Sequence, residues 1–487
     1  MRDSLKQPGA VLLVSCYELG HQPLALASPL ALLRRAGYRP ATLDLAIERL
    51  DPASARRARL IAISVPMHTA LRLGAPAAER MRALNPEAAI CFYGLYATLN
   101  AQALLEGPAD AVIGGEHEEP LLRLVEHLDE ANAGAGSSSA SGPAELARAS
   151  GLPGVRTRSH HAPPWLRRIR FAVPERDRLA PLSVYAHLEH LGESRRAGHV
   201  ETSRGCLHLC RHCPIPPVYG GRFFVVPKEI VLADLRRQVE SGARHVSFGD
   251  PDFLNGPAHS LAIARALHAE FPSLTFDLTT KIEHLLKHRA LLPELARLGC
   301  LFIVSAVETL DDATLAILDK GHTRADILEA LRLTDSAGIA LRPTFVPFTP
   351  WTGLSDYLEL LGFIESEGLI RHLDPVQLSI RLLVPPGSLL IDHPAMRPFL
   401  GPLDAARFTH LWTHPDPRVD RLQREVAGLV RSAAEEHEDP PVTFERIAAR
   451  AAEAIGQDGD VDARPLPRPP ARRDKGRPPR MTEPWFC

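Results

Sequence analysis

The sequence predicts an α/β protein in which two parallel β-sheets, each covered by helices, follow one another along the chain. Short apolar runs alternate with helical patterns in two separate series, one over 9–128 and one from about 196. Such alternation is typical of strand–helix–strand units with parallel strands. Between the two series lies a segment rich in Ala, Ser and Gly, which has little apolar surface to bury and is typical of a linker.

The first series predicts a Rossmann-like domain over 1–130. Its predicted strands are 9–16, 41–46, 60–66, 88–94 and 109–115, and its predicted helices are 27–37, 75–84 and 118–128. A linker and a basic, proline-punctuated connector occupy 131–195. Because the arginines of the connector are offset by acidic neighbours, we interpret it as a segment that lies over the next domain rather than as a nucleic-acid site.

The second series predicts a partial (β/α)6 barrel over 196–395. Its predicted strands are 198–206, 245–250, 275–281, 301–308, 340–348 and 376–384, and its predicted helices are 227–242, 256–271, 311–318, 325–338 and 353–368. Six strand–helix units are fewer than the eight that close a full barrel. A helical extension follows over 396–460. We expect the Pro/Arg-rich tail over 461–487 to be mostly disordered, because it cannot bury enough apolar surface to fold alone.

Composition excludes several classes of protein. The chain is 45% hydrophobic and 23% charged, with a net charge of −2, which is ordinary for a soluble protein and offers no field to attract nucleic acid. The first apolar run is too short for a secretory signal, and no window reaches the roughly 18 apolar residues of a membrane helix. We therefore expect a cytoplasmic protein with neither nucleic acid nor a membrane as a partner.

Three cysteines crowd the segment "SRGCLHLCRHCP". Cys206, Cys210 and Cys213 have the spacing CxxxCxxC and follow the first predicted strand of the barrel. Ligand sites of such sheets gather at the carboxyl ends of the strands. Thiolates are soft ligands that suit zinc or an iron–sulfur cluster, so the position and the residue type both indicate a metal site.

The missing fourth cysteine decides between the two metals. His208 or His212 would complete a structural zinc site, which closes all four positions. A [4Fe–4S] cluster normally takes four cysteines, so three would leave one iron open to a small molecule. We favour the cluster.

A CxxxCxxC loop after the first strand of a partial barrel resembles the radical S-adenosylmethionine (SAM) superfamily, over roughly 196–395. The resemblance implies that Cys206, Cys210 and Cys213 hold three irons, while SAM chelates the fourth. Reduction, by a donor such as flavodoxin or ferredoxin, would then cleave SAM to methionine and a 5′-deoxyadenosyl radical. One position departs from the pattern, since His212 stands where the family usually has an aromatic residue near adenine.

The same resemblance implies a SAM pocket at the ends of the next strands. Gly249 and Asp250 occupy the place of the glycine-bearing turn near the SAM amino group, unless they form an ordinary turn. Glu308 ends an apolar strand, as does the glutamate that contacts the ribose region; buried there, it needs a partner. Lys281 would pair with the SAM carboxylate, or be an exposed strand-end lysine.

Two arginines, Arg342 and Arg381, interrupt the apolar fifth and sixth predicted strands of the barrel. A charge placed there is costly without an anion or a carboxylate nearby. They would contact substrate or SAM, or else form structural ion pairs.

The N-terminal domain resembles the cobalamin-binding domain of the cobalamin-dependent branch. Gly114, Gly115 and Glu116 stand in place of its "GEGE" turn, which implies a cobalamin site. The DxHxxG motif that supplies a cobalt ligand is absent, and His21 and His68 are isolated. The alternative is a degenerate domain that serves only as a substrate platform.

The last residues, "MTEPWFC", end in Cys487. The whole chain resembles a group of radical SAM proteins named for a C-terminal Cys-Sec-Ala-Glu-Pro or Cys-Cys-Ala-Glu-Pro tail. We hypothesise that the sequence stops where a UGA selenocysteine codon follows Cys487, and that this thiol is a catalytic redox group. A different stop codon, or no Ala-Glu-Pro downstream, would remove the hypothesis.

These observations predict a radical SAM enzyme that carries out methyl transfer or a radical rearrangement on an unknown small-molecule or peptide substrate, with a [4Fe–4S] cluster, SAM and cobalamin as cofactors. Two alternatives stay open. One is a non-catalytic zinc-binding interaction protein. The other is a cobalamin-independent radical SAM enzyme that modifies a peptide or a selenium-containing substrate.

Overall fold

The fold is given by a computed structural model, which describes residues 4–134, 142–148, 151–167, 169–456 and 477–482. Within these ranges, no helix is both long and apolar enough to cross a bilayer.

The N-terminal domain is a six-stranded sheet in the order β2-β1-β3-β4-β5-β6, in which only β6 is antiparallel to its neighbour. Every residue of β1, β3 and β4 is buried, because helices cover both faces. β6 comes from the segment predicted to be a linker. The strands are β1 (Val11–Ser15), β2 (Ala41–Asp44), β3 (Leu60–Ser64), β4 (Ala89–Tyr93), β5 (Ala111–Ile113) and β6 (Val155–Thr157). The helices are α1 (Leu24–Arg35), α2 (Pro52–Arg57), α3 (His68–Leu84), α4 (Leu95–Leu99), α5 (Ala101–Glu106), α6 (Glu118–Gly134) and α7 (Gly142–Arg148).

The second domain is a half-barrel with five adjacent parallel strands, which confirms the predicted fold class. Its strands are β7 (His187–His190), β8 (Glu193–Val200), β9 (Ser203–Gly205), β10 (Phe223–Val225), β11 (His245–Phe248), β12 (Thr275–Thr279), β13 (Cys300–Glu308) and β14 (Ala340–Phe345). Its helices are α8 (Pro216–Tyr219), α9 (Lys228–Glu240), α10 (Pro257–Glu270), α11 (Ile282–Lys287), α12 (Leu292–Arg297), α13 (Asp312–Leu318), α14 (Arg324–Ser336) and α15 (Leu354–Ser366).

The sixth predicted strand of the barrel, 376–384, is not formed. Residues Pro375–Ser379 are a 3₁₀ helix, and Arg381 makes a single β-bridge with Phe348. The side chain of Gln377 accepts a hydrogen bond from the backbone N–H of Phe345 at 3.2 Å. A side chain therefore satisfies a donor of β14 that a sixth strand would otherwise have bonded.

The C-terminal extension contacts both domains. Helices α16 (Pro417–Glu435) and α17 (Pro440–Gly456) contribute apolar side chains to the core of the half-barrel. Strands β15 (Leu400–Asp404) and β16 (Thr409–Trp412) form a hairpin, and Phe408 between them packs into the core of the N-terminal domain.

Within the tail, the structure describes residues 477–482, which contain a short strand. Strand β17 (Arg480–Met481) pairs antiparallel with β7 and extends the order of the barrel sheet to β14-β13-β12-β11-β8-β7-β17. Met481 is buried against Phe302 of β13, and the carbonyl oxygen of Pro479 accepts a hydrogen bond from Arg342 of β14 at 3.3 Å. β17 therefore lies across the gap between the two edges of the curved sheet. Burial of Met481 and the unpaired edge of β7 supply the reason for its order.

The two domains meet through buried polar contacts near the ends of β1 and β8. The rings of His21 and His199 stack with centroids 4.5 Å apart. Arg176 of the connector is buried and donates to the carbonyl oxygen of His199 at 2.7 Å and to the carboxylate of Asp234 at 2.7 Å. The carboxyl ends of both sheets therefore face one another.

Candidate active site

The cysteine loop begins directly after β9, which forms a two-stranded ribbon with β10. Gly205 has φ +78°, and a Cβ atom there would lie 2.4 Å from the carbonyl oxygen of Arg222. Only glycine fits this position, because both the dihedral angle and the close backbone approach exclude a side chain. The geometry of the ribbon thereby sets where Cys206 begins the loop.

The three predicted cysteines come together as free thiols. Cys206 and Cys210 are buried and Cys213 is half-buried. Burial raises the pKa of the Cys213 thiol to about 12, and the charges of Cys210 and Cys206 act in the same direction. A cation bound by these sulfur atoms would favour the thiolate forms instead. This donor set fits a thiolate-bound iron–sulfur cluster.

The two histidines of the loop contact carboxylates. His212 Nε2 lies 3.0 Å from Glu308 Oε1, and His208 Nε2 lies 3.6 Å from Asp252 Oδ2. A Cys3His zinc site would need one of these imidazoles among the sulfur atoms, so their contacts favour the cluster over that alternative.

Glu308 ends β13 in a strained backbone conformation, with φ +71°. Its buried carboxylate accepts a hydrogen bond from Lys320 Nζ at 3.0 Å, besides the contact with His212. Burial raises the pKa of Glu308, but Lys320 and His212 outweigh burial and hold the pKa well below its usual range. The predicted carboxylate is therefore ionised and tied to the loop.

Sequence reasoning missed Lys320. It follows α13 and precedes Gly321, a pattern that is typical of an ordinary helix C-terminus. The residue is only 2% exposed, and only the tertiary structure shows that its ammonium group contacts Glu308.

Asp250 supports the start of the loop. Its carboxylate accepts hydrogen bonds from the hydroxyls of Thr202 and Ser203 at 2.7 and 2.6 Å, and from the N–H of Thr202. Burial raises the pKa of Asp250, although these bonds oppose the shift. At Gly249 a Cβ atom would lie 2.3 Å from the ring of His199, so glycine is needed for this packing.

The remaining predicted cations differ in position. Lys281, at the end of the third barrel strand, donates to Glu283 at 3.1 Å and is buried rather than exposed. Arg342 lines the cavity described below. Arg381 instead forms an ion pair with Asp420 at 2.6 Å and stacks on Trp412, so the structure places it in the structural ion pair that was the alternative.

The "GGE" turn of the N-terminal domain is used within the chain. Trp165 of the connector forms a β-bridge with Gly115, where a Cβ atom would lie 2.6 Å from the Trp165 carbonyl oxygen. Glu116 accepts hydrogen bonds from Arg204 at 3.0 Å and from Tyr219 at 2.8 Å. The close approach at Gly114 and Gly115 is therefore made by the chain's own connector, and Glu116 links the domain to the cysteine loop.

Arg204, which sequence reasoning also missed, is the hub of this link. It stands two residues before Cys206 and also pairs with Glu118 at 2.6 Å and Glu201 at 2.8 Å. Burial lowers the pKa of Arg204, but the surrounding carboxylates outweigh burial and raise it well above its usual value. Two of its three partners, Glu116 and Glu118, come from the other domain, so the local pattern alone could not have identified this link.

A cavity of about 380 Å³ lies inside the half-barrel, below the facing edge of the N-terminal domain. Among the predicted site residues it brings together Gly249, Asp250 and Arg342, and Met481 of β17 forms part of its wall. Glu18, after β1, also lines it. Burial raises the pKa of Glu18 to about 8, and its Oε1 has no hydrogen-bond partner among the described residues.

Cys487 lies outside the described residues, so its role stays a prediction.

Comparisons with known proteins agree with this architecture. Residues 200–360 match the model of the radical SAM superfamily. The hopanoid C-3 methylase of Methylococcus capsulatus is 26% identical over 339 residues, which are 68% of this chain and 62% of that protein. The chain thus spans about three fifths of the length of this relative.

Two solved structures share the fold across both domains. The radical SAM methyltransferase TsrM from Kitasatospora setae, with cobalamin and a [4Fe–4S] cluster bound, has a TM-score of 0.63 at 16% identity, over 92% of this chain and 100% of that one. The cobalamin-dependent SAM radical enzyme OxsB, with aqua-cobalamin and SAM bound, has a TM-score of 0.65 at 14% identity, over 92% and 72%. The sequence match and the shared fold lead to one conclusion: residues 200–360 form a radical SAM domain, and the chain shares the two-domain fold of these two cobalamin-bound enzymes.

Proposed function

We propose that this protein is a cobalamin-dependent radical SAM enzyme that transfers a methyl group to a small polar substrate. The observation that carries the proposal is the group of three free thiols at the carboxyl edge of a half-barrel that faces a Rossmann-like domain: the buried Cys206 and Cys210 and the half-buried Cys213. When bound there, a [4Fe–4S] cluster supplies the electron that cleaves SAM.

Some side chains around the cysteine loop would bind SAM, and others would fix the position of the loop. His212, Glu308 and Lys320 form one connected group beside the cysteines, with the carboxylate ionised. We assign this group to the ribose and adenine end of SAM. Lys281 and the turn at Gly249 lie at neighbouring strand ends, where the charged end of SAM would bind, and Asp250 fixes the backbone that leads into Cys206.

Cobalamin would lie between the two facing edges. Leu19, Pro66 and Met67 of the N-terminal domain line the cavity on that side. His21 stacks on His199, and His68 Nε2 lies 2.7 Å from the carbonyl oxygen of Arg407. These two histidines have partners of their own, so we propose that cobalamin binds without either of them as a cobalt ligand.

The lining of the cavity indicates the class of substrate. Glu18, Asp277, Arg342 and His199 all line it, and its volume of about 380 Å³ is within the range of small-molecule sites. Glu18 Oε1 and His199 Nδ1 have no hydrogen-bond partner among the described residues, and a polycyclic hydrocarbon such as a hopanoid would leave both buried and unpaired, at a cost of several kcal/mol. We therefore infer a substrate with hydrogen-bonding groups, unlike that in the name of the hopanoid relative.

Anaerobic purification and reconstitution with iron and sulfide test the cluster. We expect a brown protein with about four irons per chain that releases 5′-deoxyadenosine or a demethylated product from SAM when a reductant is added. The variant Cys213→Ala should lose most of the iron, while Cys16→Ala, which removes a buried cysteine of the other domain, should keep it. A colourless protein with one zinc ion would contradict the proposal.

Cobalamin binding has a separate test. After incubation with hydroxocobalamin and desalting, we expect about one corrinoid per chain by absorbance, since both solved structures named above share this fold and have cobalamin bound. A protein that retains the cluster and no corrinoid would remove the cobalamin half of the proposal and support the cobalamin-independent alternative.

A further inference from the structure

A second group of metal-binding side chains lies beside the cysteine loop. His208 is in the loop itself, Asp252 follows β11, and His284 is in α11. One ligand atom from each residue lies within 4.8 Å of the others. Asp252 is fully buried and His284 is 6% exposed, so this is not a surface cluster.

The carboxylate of Asp252 is satisfied on one side only. Its Oδ1 accepts hydrogen bonds from the N–H of Leu254 at 3.0 Å and from the hydroxyl of Thr280 at 2.7 Å. Its Oδ2 has no hydrogen-bond partner among the described residues, although His284 Nδ1 lies 2.8 Å away. That nitrogen also makes no hydrogen bond among the described residues, so the contact is an ion pair only when His284 is protonated. With a neutral His284, two buried polar atoms lie side by side without a hydrogen bond, which is costly unless a cation binds both.

The separations of these atoms resemble those around one cation. His208 Nε2 lies 3.6 Å from Asp252 Oδ2, which lies 2.8 Å from His284 Nδ1, and one ligand atom of each residue lies within 4.8 Å of the others. Ligand atoms around a tetrahedral zinc ion, with bonds of 2.0–2.1 Å, are about 3.3 Å apart. The three side chains could therefore close on a metal with small adjustments.

The surroundings support this geometry. His208 Nδ1, the nitrogen away from the group, lies 3.6 Å from the carboxylate of Glu283, which Lys281 holds at 3.1 Å. Histidines that bind metals commonly direct the other ring nitrogen to a carboxylate, which fixes the tautomer.

We propose that His208, Asp252 and His284 bind one divalent transition metal of the zinc class, separate from the thiolate cluster. Two imidazoles and one carboxylate are a ligand set that zinc accepts, with a fourth position left for water. The metal would join the cysteine loop to the ends of β11 and β12.

Metal analysis of the reconstituted full-length protein tests the proposal. After anaerobic loading with iron and sulfide, incubation with one equivalent of zinc and desalting, we expect about four irons and one zinc per chain. Asp252→Asn and His284→Ala should keep the iron and lose at least nine tenths of the zinc. The matched control is His288→Ala. The ring of His288 lies 5.7 Å from that of His284, but His288 is not one of the three proposed ligands, so this variant should keep both metals.

The proposal is overturned if the wild-type protein keeps no zinc, or if Asp252→Asn keeps as much as the wild type. Zinc-edge X-ray absorption on the wild type gives an answer even if a variant fails to fold. Nitrogen and oxygen neighbours at about 2.0–2.1 Å support the site, whereas a sulfur shell at about 2.3 Å would place the zinc on the cysteines and contradict it.

Discussion

At the scale of single residues, the side chains around the cysteine loop are held by ion pairs that are buried in the fold. Glu308 meets Lys320 and His212, and Arg204 meets three glutamates. A buried ion pair adds little net stability compared with apolar residues, but removal of one partner leaves an unpaired charge and is strongly destabilising. Such residues are therefore sensitive to single substitutions.

The pair Glu308–Lys320 gives the first prediction. Lys320→Met should lower the free energy of unfolding by about 3 kcal/mol or more, because the buried carboxylate keeps only His212 as a partner. Urea denaturation measures the change. Arg265→Ala is the control, since its ion pair with Glu294 is exposed and should cost about 1 kcal/mol or less. Adding Glu308→Gln to Lys320→Met should recover part of the loss; if the single variant matches the control, the pair contributes nothing.

Glu18 gives a prediction about pH. Burial raises the pKa of this carboxyl from 4.5 to about 8, so the folded protein binds a proton there that the unfolded chain loses. Its contribution to stability is complete below about pH 4.5 and is lost as the pH rises through 8. Glu18→Gln cannot ionise, so its stability relative to the wild type should rise between pH 5 and pH 8 by roughly 1.4 kcal/mol per unit at most. Parallel stability curves for the two proteins would refute this.

At the scale of elements, the ribbon of β9 and β10 positions the cysteines through one glycine. Gly205→Ala should reduce the iron retained per chain and destabilise the protein by about 2 kcal/mol or more, because a Cβ atom would lie 2.4 Å from a backbone oxygen. Gly220→Ala separates strain from the clash, since Gly220 has φ +57° with nothing within 4 Å of its Cβ position. We expect that variant to keep its iron. Equal iron loss in both would mean that the dihedral angle alone matters.

The elements also show what sequence could predict. Strands such as β1, β3 and β4 are continuous apolar runs buried on both faces, and this signal is local. The run 376–384 carries the same signal, yet it forms no strand because Gln377 bonds the edge that it would have joined. The apolar content of 376–384 predicts that the run is buried, but whether it forms a strand depends on the tertiary contacts at the edge of β14.

The candidate site was predictable to the same extent. The cysteines were found because a fixed spacing carries their chemistry, and Glu308 because a charge at the end of an apolar strand needs a partner. Lys320, Arg204 and Glu18 could not be found in this way. Their contacts follow from the fold rather than from a local pattern, and those of Arg204 with Glu116 join residues 88 positions apart.

At the scale of the whole molecule, the cavity has walls from three parts of the chain: the N-terminal domain, the half-barrel and β17. The same parts are joined by buried polar contacts, including Tyr185 to Asp44 at 3.0 Å and Arg176 to Asp234. Because all three parts line the cavity, a shift of any one of them would change the side chains around a bound substrate.

β17 gives the prediction at this scale. Met481→Ala should lower the free energy of unfolding by about 2 kcal/mol and speed amide hydrogen exchange in β7, because it removes the side chain that packs against Phe302 and Leu188. Arg480→Ala is the neighbouring control; its ion pair with Glu189 is partly exposed and should cost about 1 kcal/mol or less. Unchanged exchange over His187–His190 in the Met481 variant would show that β17 does not hold this edge.

The pairing of β17 with β7 has a consequence for synthesis of the chain. Arg480 and its partner Glu189 are 291 positions apart, whereas the cysteine loop follows β7 almost at once. A nascent chain therefore exposes its metal ligands long before the final wall of the cavity leaves the ribosome. Loading of metal can precede closure of the cavity during translation, and a chain interrupted before residue 477 would carry the ligands for a cluster inside a chamber that is still open.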